Sequence, residues 1–486
     1  MNHCIDVEGT RLPIKIDSTS NGEYMPRPLD LTSKTANKAA HSRITETARR
    51  LGVGRRTLMR SVCGAAVTLS AMNETFAAAG KTGGSYRVPA EACYEQAAAD
   101  SVLAGHEFIF DVQLHHVNPH GDWRSKNPAF AEAIASFPQA ARCQSDSPFD
   151  CVSGDYLIKD VFLDSDTDMA VLSMGPSAPF NPLTEEEAAQ TRALVDALGG
   201  NHRLLIHGLC HANFPGHVER MNELHATFNV SGWKTYTQWG PEGVGFWLDD
   251  ESTGIRMIET ARAHGVKNIC VHKGLPLVDL TYEHSTSRDV GVVATRFPDM
   301  NFLVYHSGFE QERREGPYNP KNDYGINNLI NALHNNGLGI GSNVYAELGS
   351  TWRIVMRDPD QAAHVLGKLL KYFGEDNILW GTDAIWYGSP QDQIQAFRTF
   401  EISEEYQDKF GYPALTPQVK AKILGINGAC VYDVDPITIR NKASSDRFSR
   451  TRQTYLVEKD PSFLTYGPKT RREFVALLRA NGGFAA

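Results

Sequence analysis

The chain has 486 residues, 41% of them hydrophobic and 22% charged, with a formal net charge of -9 at pH 7. Those values belong to a folded globular protein and exclude a collagen-like, disulfide-scaffold or wholly disordered chain. Residues 1–60 carry eleven Lys/Arg against six Asp/Glu, so the body is more acidic than the total and lacks the basic stripe that nucleic acid or an anionic membrane requires. A small-molecule substrate is the expected partner, and a homo-oligomer is compatible with this composition.

Residues 1–50 are polar, rich in Ser, Thr, Asn and Lys, and lack both the helical and the strand period, so they read as mostly disordered. Gly54-Arg55-Arg56-Thr57-Leu58-Met59-Arg60 follows, then the apolar run from Val62 to Met72 and the small residues Ala77-Ala78-Ala79. Charged, apolar, small is the order of a secretory signal. Paired arginines before a moderately apolar stretch resemble a twin-arginine export signal, which makes residues 1–79 a leader and the protein periplasmic or otherwise exported. The alternative is that Arg55-Arg56 opens an amphipathic helix of a cytoplasmic protein. The apolar run is shorter than the ~20 residues that span a bilayer, so no stable membrane anchor is expected. Maturation near Ala79 leaves Cys93, Cys143, Cys151, Cys210, Cys270 and Cys430. Cys143 and Cys151 lie in a Ser/Asp/Pro-rich stretch and could pair, whereas Cys210 and Cys270 sit in or beside apolar runs and read as buried. None of the spacings is that of a zinc finger.

After a linker over residues 80–106, short apolar or β-branched runs alternate with helical patterns, the signature of parallel βα units. Eight strands are predicted, over residues 107–114, 169–173, 204–208, 232–236, 268–272, 301–305, 343–347 and 378–380. Between them, Thr184-Glu185-Glu186-Glu187 is a capping box opening a helix that stops at Gly199-Gly200, and a second helix runs from Ser252 to His264 before Gly265. Eight units predict an α/β fold, a (β/α)8 TIM-type barrel over residues 107–434 with inserted loops. Residues 435–486 form a C-terminal extension whose segment from Thr470 to Leu478 reads as an amphipathic helix packed on the barrel.

In such a barrel the reacting groups stand at the C-terminal ends of strands. Strand one reads Phe110-Asp111-Val112-Gln113-Leu114-His115-His116, with Gln113 and His115 on one face. Strand five ends Val271-His272-Lys273-Gly274, strand six Val304-Tyr305-His306-Ser307-Gly308, and strand eight Trp380-Gly381-Thr382-Asp383. Singly, a histidine at a strand end is ordinarily a hydrogen-bonded structural residue. Two imidazoles and a carboxylate converging on a barrel mouth, however, supply the donors of a catalytic zinc with a position left for water.

By these segments, in this order, residues 107–433 resemble the amidohydrolase superfamily, in the branch of aminocarboxymuconate-semialdehyde decarboxylase and related metal-dependent hydrolases. Gly232-Trp233-Lys234, Phe246-Trp247-Leu248-Asp249-Asp250 and Arg296-Phe297-Pro298-Asp299-Met300 echo further segments of that family. The resemblance implies a single metal held by His115, His272 and Asp383, with His306 acting on the bound water and Asp383 sharing its proton. Where the family has the first histidine of a His-x-His pair, this chain has Gln113, a weaker zinc ligand than imidazole. Zn2+ is the implied ion, with Mn2+ as an alternative; a metal-free site, in which His306 and Asp383 activate water by themselves, is a third reading. Lys234 ends strand four, where some members carry a carboxylated lysine; here it reads as an ammonium facing the acidic pocket or a substrate carboxylate. Arg124, His211, Trp239 and Trp386, on loops after strands, are further candidates for the substrate pocket.

The sequence therefore predicts a hydrolase of an amide, ester or lactone of a small substrate, aromatic or carboxylated among the candidates. Nonoxidative decarboxylation of an aromatic or unsaturated acid on the same site is the alternative, and a non-catalytic barrel that lost its metal through Gln113 is the alternative of another class.

Overall fold

The computed structural model describes residues 6–176, 181–199, 202–276 and 282–481. Eight parallel strands make the barrel: β1 Phe110–Leu114, β2 Met169–Leu172, β3 Leu204–Ile206, β4 Trp233–Tyr236, β5 Asn268–His272, β6 Asn301–Tyr305, β7 Val344–Glu347 and β8 Ile378–Leu379. The runs are short and almost wholly buried, as expected of strands covered on both faces. β3 breaks after Ile206: its first half pairs with β2, and its continuation Gly208–Leu209 pairs with β4. The ring closes between β8 and β1, where Val112 N–H donates to Trp380 O (3.0 Å), Asp383 N–H to Gln113 O (3.1 Å) and His115 N–H to Ala384 O (2.6 Å). Asp111 fastens the same seam from its side chain, accepting from Thr382 N–H (3.1 Å) and from the Thr382 hydroxyl. The capping box at Thr184 and Glu187 opens helix Glu185–Ala197 as its sequence predicts. Cys143 and Cys151 form a disulfide, and Cys210 and Cys270 are buried.

The N-terminal segment departs from its reading as disordered. Residues 6–30 run as a strap across the barrel, with Leu12, Ile14 and Ile16 fully buried. Three helices follow: α1 Leu31–Leu51, α2 Arg55–Met59 and α3 Val62–Ala78. The run read as the apolar part of an export signal is the interior of α3, which packs on α1 and on helices Gln96–Leu103 and Gln391–Thr399. The physical reason is that a helix apolar on most of its surface is equally suited to a core. The strap escapes periodicity rules because its polar residues have fixed partners. Asp17 pairs with Arg353, Lys15 Nζ donates to Tyr387 O (2.9 Å), and Tyr24 and Tyr387 share a hydroxyl hydrogen bond of 3.0 Å. No helix among the described residues is long and apolar enough to cross a membrane.

The C-terminal extension meets the strap over the mouth. Helix Arg471–Ala480 opens with a capping box of Thr470 and Glu473 and buries Phe474, Leu477 and Leu478. Just before it, Ser20 N–H donates to Pro468 O (2.9 Å), and Gly467 lies at φ 140°, where an added Cβ would stand 1.7 Å from Ser20 O. Only glycine fits there. Gly467→Ala is therefore expected to lower the unfolding free energy by roughly 2–4 kcal/mol, from the steric clash and the forbidden dihedral together. Urea denaturation of the full chain measures this, and an unchanged midpoint would show that strap and extension are not packed as described.

Candidate active site

Three imidazoles meet at the C-terminal ends of β1, β5 and β6, and each is oriented by a backbone carbonyl. His115 Nδ1–H donates to Ser173 O (2.9 Å), His272 Nε2–H to Gly274 O (3.1 Å) and His306 Nδ1–H to Gly349 O (2.7 Å). A carbonyl only accepts, so these bonds place a proton on each anchored nitrogen and leave a lone pair on His272 Nδ1 and His306 Nε2, while His115 Nε2 faces the Asp383 carboxylate. His272 Nδ1 and His306 Nε2 are buried with no hydrogen-bond partner among the described residues, their rings 4.5 Å apart edge to face. Burial pushes His306 down to about 4 and holds His272 well below the usual imidazole range, so both are neutral at pH 7.

Beside them lies Asp383, fully buried. Its carboxylate accepts from Ser350 Oγ (2.5 Å), Asn21 Nδ2 (2.7 Å) and Gln113 Nε2 (3.1 Å) and lies 3.2 Å from His115 Nε2. Burial alone would raise its pKa; the hydrogen bond and charge of His115 and the Ser350 hydroxyl overcome that and keep Asp383 below the usual carboxylate range. His306, Ser307, Ser350 and Asp383 all have φ between 52° and 64°, a left-handed backbone that aims these side chains inward at a cost of about 1–3 kcal/mol each.

The predicted site residues thus fall into two clusters. Gln113, His115 and Asp383 form one, His272 and His306 the other. The second includes Glu23 of the strap; one ligand atom from each of Glu23, His272 and His306 lies within 4.8 Å of the others. These lone pairs, converging from neutral imidazoles whose other nitrogen is anchored, fit a divalent cation. Lys234 is buried, its Nζ 3.6 Å from the centre of the Tyr305 ring and without a hydrogen bond among the described residues, and burial pushes its pKa down.

A largely apolar cavity opens beside His115, lined by Phe130, Phe137, Phe149, Trp386 and Leu477 among others. Of the loop candidates, Trp386 lines it and stacks on His115 with ring centres 6.2 Å apart. Arg124, His211 and Trp239 are not among its lining residues. Arg124 donates to Pro119 O (2.6 Å) and lies over Phe149, and His211 is packed between Phe214, His217 and Tyr236. Trp239 belongs to the apolar core below.

Sequence reasoning missed Asn21, Glu23, Ser350 and Glu347. Glu347 carried a usable signal, since it ends β7 as His272 ends β5. Its carboxylate accepts from His306 N–H (3.0 Å) and Gly349 N–H (2.6 Å), and burial pushes it up to about 8. The folded protein therefore keeps this carboxyl protonated across a range in which the unfolded chain, with its value near 4.5, ionises it. The stability it contributes is complete below pH 4.5 and is lost as pH rises toward about 8. In chelator, Glu347→Gln is expected to remove roughly 2–4 kcal/mol of the fall in stability between pH 5 and 8. Urea denaturation at both pH values measures it, and an equal fall in parent and variant would refute the shift.

The sequence model of the amidohydrolase family matches residues 162–434, more than half of the chain. No curated protein sequence matches it. Among solved structures, a TIM-barrel protein of Bordetella bronchiseptica is similar at 14% identity and a TM-score of 0.42, over 67% of this chain and 98% of that one. A 4-oxalomesaconate hydratase of Rhodopseudomonas palustris is similar at 13% identity and 0.38, over 69% of this chain and 98% of that one. For a dihydroorotase of Campylobacter jejuni the figures are 13% and 0.36, over 68% of this chain and 84% of that one. On the family match, the chain belongs to the amidohydrolase family and is an enzyme of hydrolase type.

Proposed function

We propose that the enzyme is a metal-dependent hydrolase cleaving an amide, ester or lactone of a small, largely apolar substrate. The observation that carries this reading is the pair of buried, unpartnered lone pairs on His272 Nδ1 and His306 Nε2 beside an ionised Asp383. A divalent cation held there, Zn2+ or Mn2+, supplies a water whose pKa falls from 15.7 to about 7 and a Lewis acid for the substrate carbonyl.

The remaining work falls to the chain's own residues. Asp383, kept ionised by its three donors, takes the proton of the attacking water at a carboxylate oxygen and returns it to the leaving group. His115, anchored through Nδ1 and stacked on Trp386, presents Nε2 next to that carboxylate and stabilises its orientation. The aromatic wall receives the apolar part of the substrate and excludes water from the reacting carbonyl. Among the described residues, no Lys or Arg lines this cavity, which favours an uncharged aromatic or aliphatic acyl group over a carboxylated one. The Cys143–Cys151 disulfide supports an oxidising compartment.

The test is turnover of aryl esters, lactones and anilides by the full chain loaded with Zn2+ or Mn2+ in 18O-labelled water. Label in the acid product is expected, and CO2 release from an aromatic acid without label would establish the decarboxylase alternative. Asp383→Asn is expected to lower kcat by about 10²- to 10⁴-fold with its fold intact by circular dichroism. Unchanged kcat would remove Asp383 from the reaction.

A further inference from the structure

We propose that Glu23, carried into the barrel mouth by the N-terminal strap, is itself a metal ligand and shares one cation with His272 Nδ1 and His306 Nε2. The inference rests on the metal-dependent reading above and adds a donor that lies outside the barrel.

Three acceptors face one another here. The N–H groups of His272 and His306 are committed to Gly274 O and Gly349 O, so the nitrogens turned toward Glu23 carry only lone pairs. Glu23 Oε1 stands 3.5 Å from His272 Nδ1 and Oε2 stands 3.7 Å from His306 Nε2. Those separations are too long for a hydrogen bond from a protonated carboxyl. They are near the roughly 3.3–3.5 Å that separates two donors on one tetrahedral ion with bonds of about 2.0–2.2 Å. Glu23 is 5% exposed and both histidines are fully buried, so no solvent shell relieves the confrontation. A cation between the three groups does relieve it, and two imidazoles with one carboxylate are a recognised donor set of catalytic zinc.

The strap holds the carboxylate rigidly. Asn21 Nδ2 donates to Glu23 Oε2 (2.6 Å) and to Asp383 Oδ2 (2.7 Å), so one amide spans both carboxylates, and Glu23 N–H donates back to Asn21 Oδ1 (3.0 Å). Gln113, in contrast, directs Nε2 at Asp383 and leaves Oε1 without a partner among the described residues, so this side chain brings no anionic donor. Glu23 provides the charge that Gln113 lacks. Asn21 is then a positioning residue, acting through the two acids it bridges.

The experiment is titration of the chelator-stripped full chain with Co2+, reading the visible absorption band and the affinity by competition, with circular dichroism and the urea midpoint as controls of folding. Glu23→Gln is expected to weaken Co2+ binding at least about a hundredfold, the upper end of what a merely supporting residue costs, and to alter the band. Asn21→Ala, which keeps the carboxylate and removes its clamp, is expected to weaken binding about tenfold. If His306→Ala loses Co2+ but Glu23→Gln binds it with parental affinity and spectrum, Glu23 is not a ligand, and the metal-dependent reading stands without it. Tighter binding together with a gain of activity in Glu23→Gln would make the strap an inhibitory plug and likewise overturn the assignment. A parent chain that binds no Co2+ overturns both readings.

Discussion

The polar architecture of the barrel mouth is organised around one buried anion, the carboxylate of Asp383. Taking a carboxylate out of water costs several kcal/mol unless its lone pairs are filled. The donors come from three distant parts of the chain: Gln113 on β1, Ser350 after β7 and Asn21 on the strap. That requirement explains why the seam between β8 and β1 is so heavily bonded, since the anion can be served from both sides only if the two strand ends hold their register. It also explains the tolerance of left-handed backbone at Ser350 and Asp383, where a relaxed φ would turn the donor away from the acceptor.

The division of labour between the two clusters follows from protonation. His272 and His306 are neutral and lack hydrogen bonds at the nitrogens that face inward, a state suited to donating electron pairs. Asp383 is charged and fully hydrogen-bonded, a state suited to accepting a proton without changing position. Beneath both, Glu347 holds the His306 and Gly349 amides in place from the end of β7. Its contact with Gly381, where an added Cβ would lie 1.6 Å from Oε1, shows why that position just after β8 has no side chain.

Much of this was legible in the sequence, for a physical reason: in a parallel barrel a short apolar run has a defined end, and the ionisable residue that ends it faces the mouth. His115, His272, His306 and Asp383 were found that way, and Glu347 satisfies the same rule. The strap was not legible. Its polar residues have no period, and several find partners hundreds of positions away, as Asp17 does at Arg353 and Asn21 at Asp383. The apolar run of α3 was ambiguous in a different way, because hydrophobicity reports that a segment leaves water and says nothing of which apolar environment receives it. The loop candidates failed for the ordinary reason that arginine and tryptophan find carbonyls and rings close by, and only Trp386 reaches the cavity.

The meeting of Ser20 with Gly467 and Pro468 has a consequence for how the protein is made. The strap is synthesised well before the barrel, whereas the carbonyl that receives the Ser20 amide, on Pro468, is synthesised after it. At about 5–20 residues per second, tens of seconds separate the two. Throughout that interval the barrel strands can pair while the mouth stays uncovered, and the strap has no finished surface on which to settle. The mouth is thus covered only once the segment after the barrel has been made, and a chain arrested before Gly467 displays a barrel whose mouth is still open.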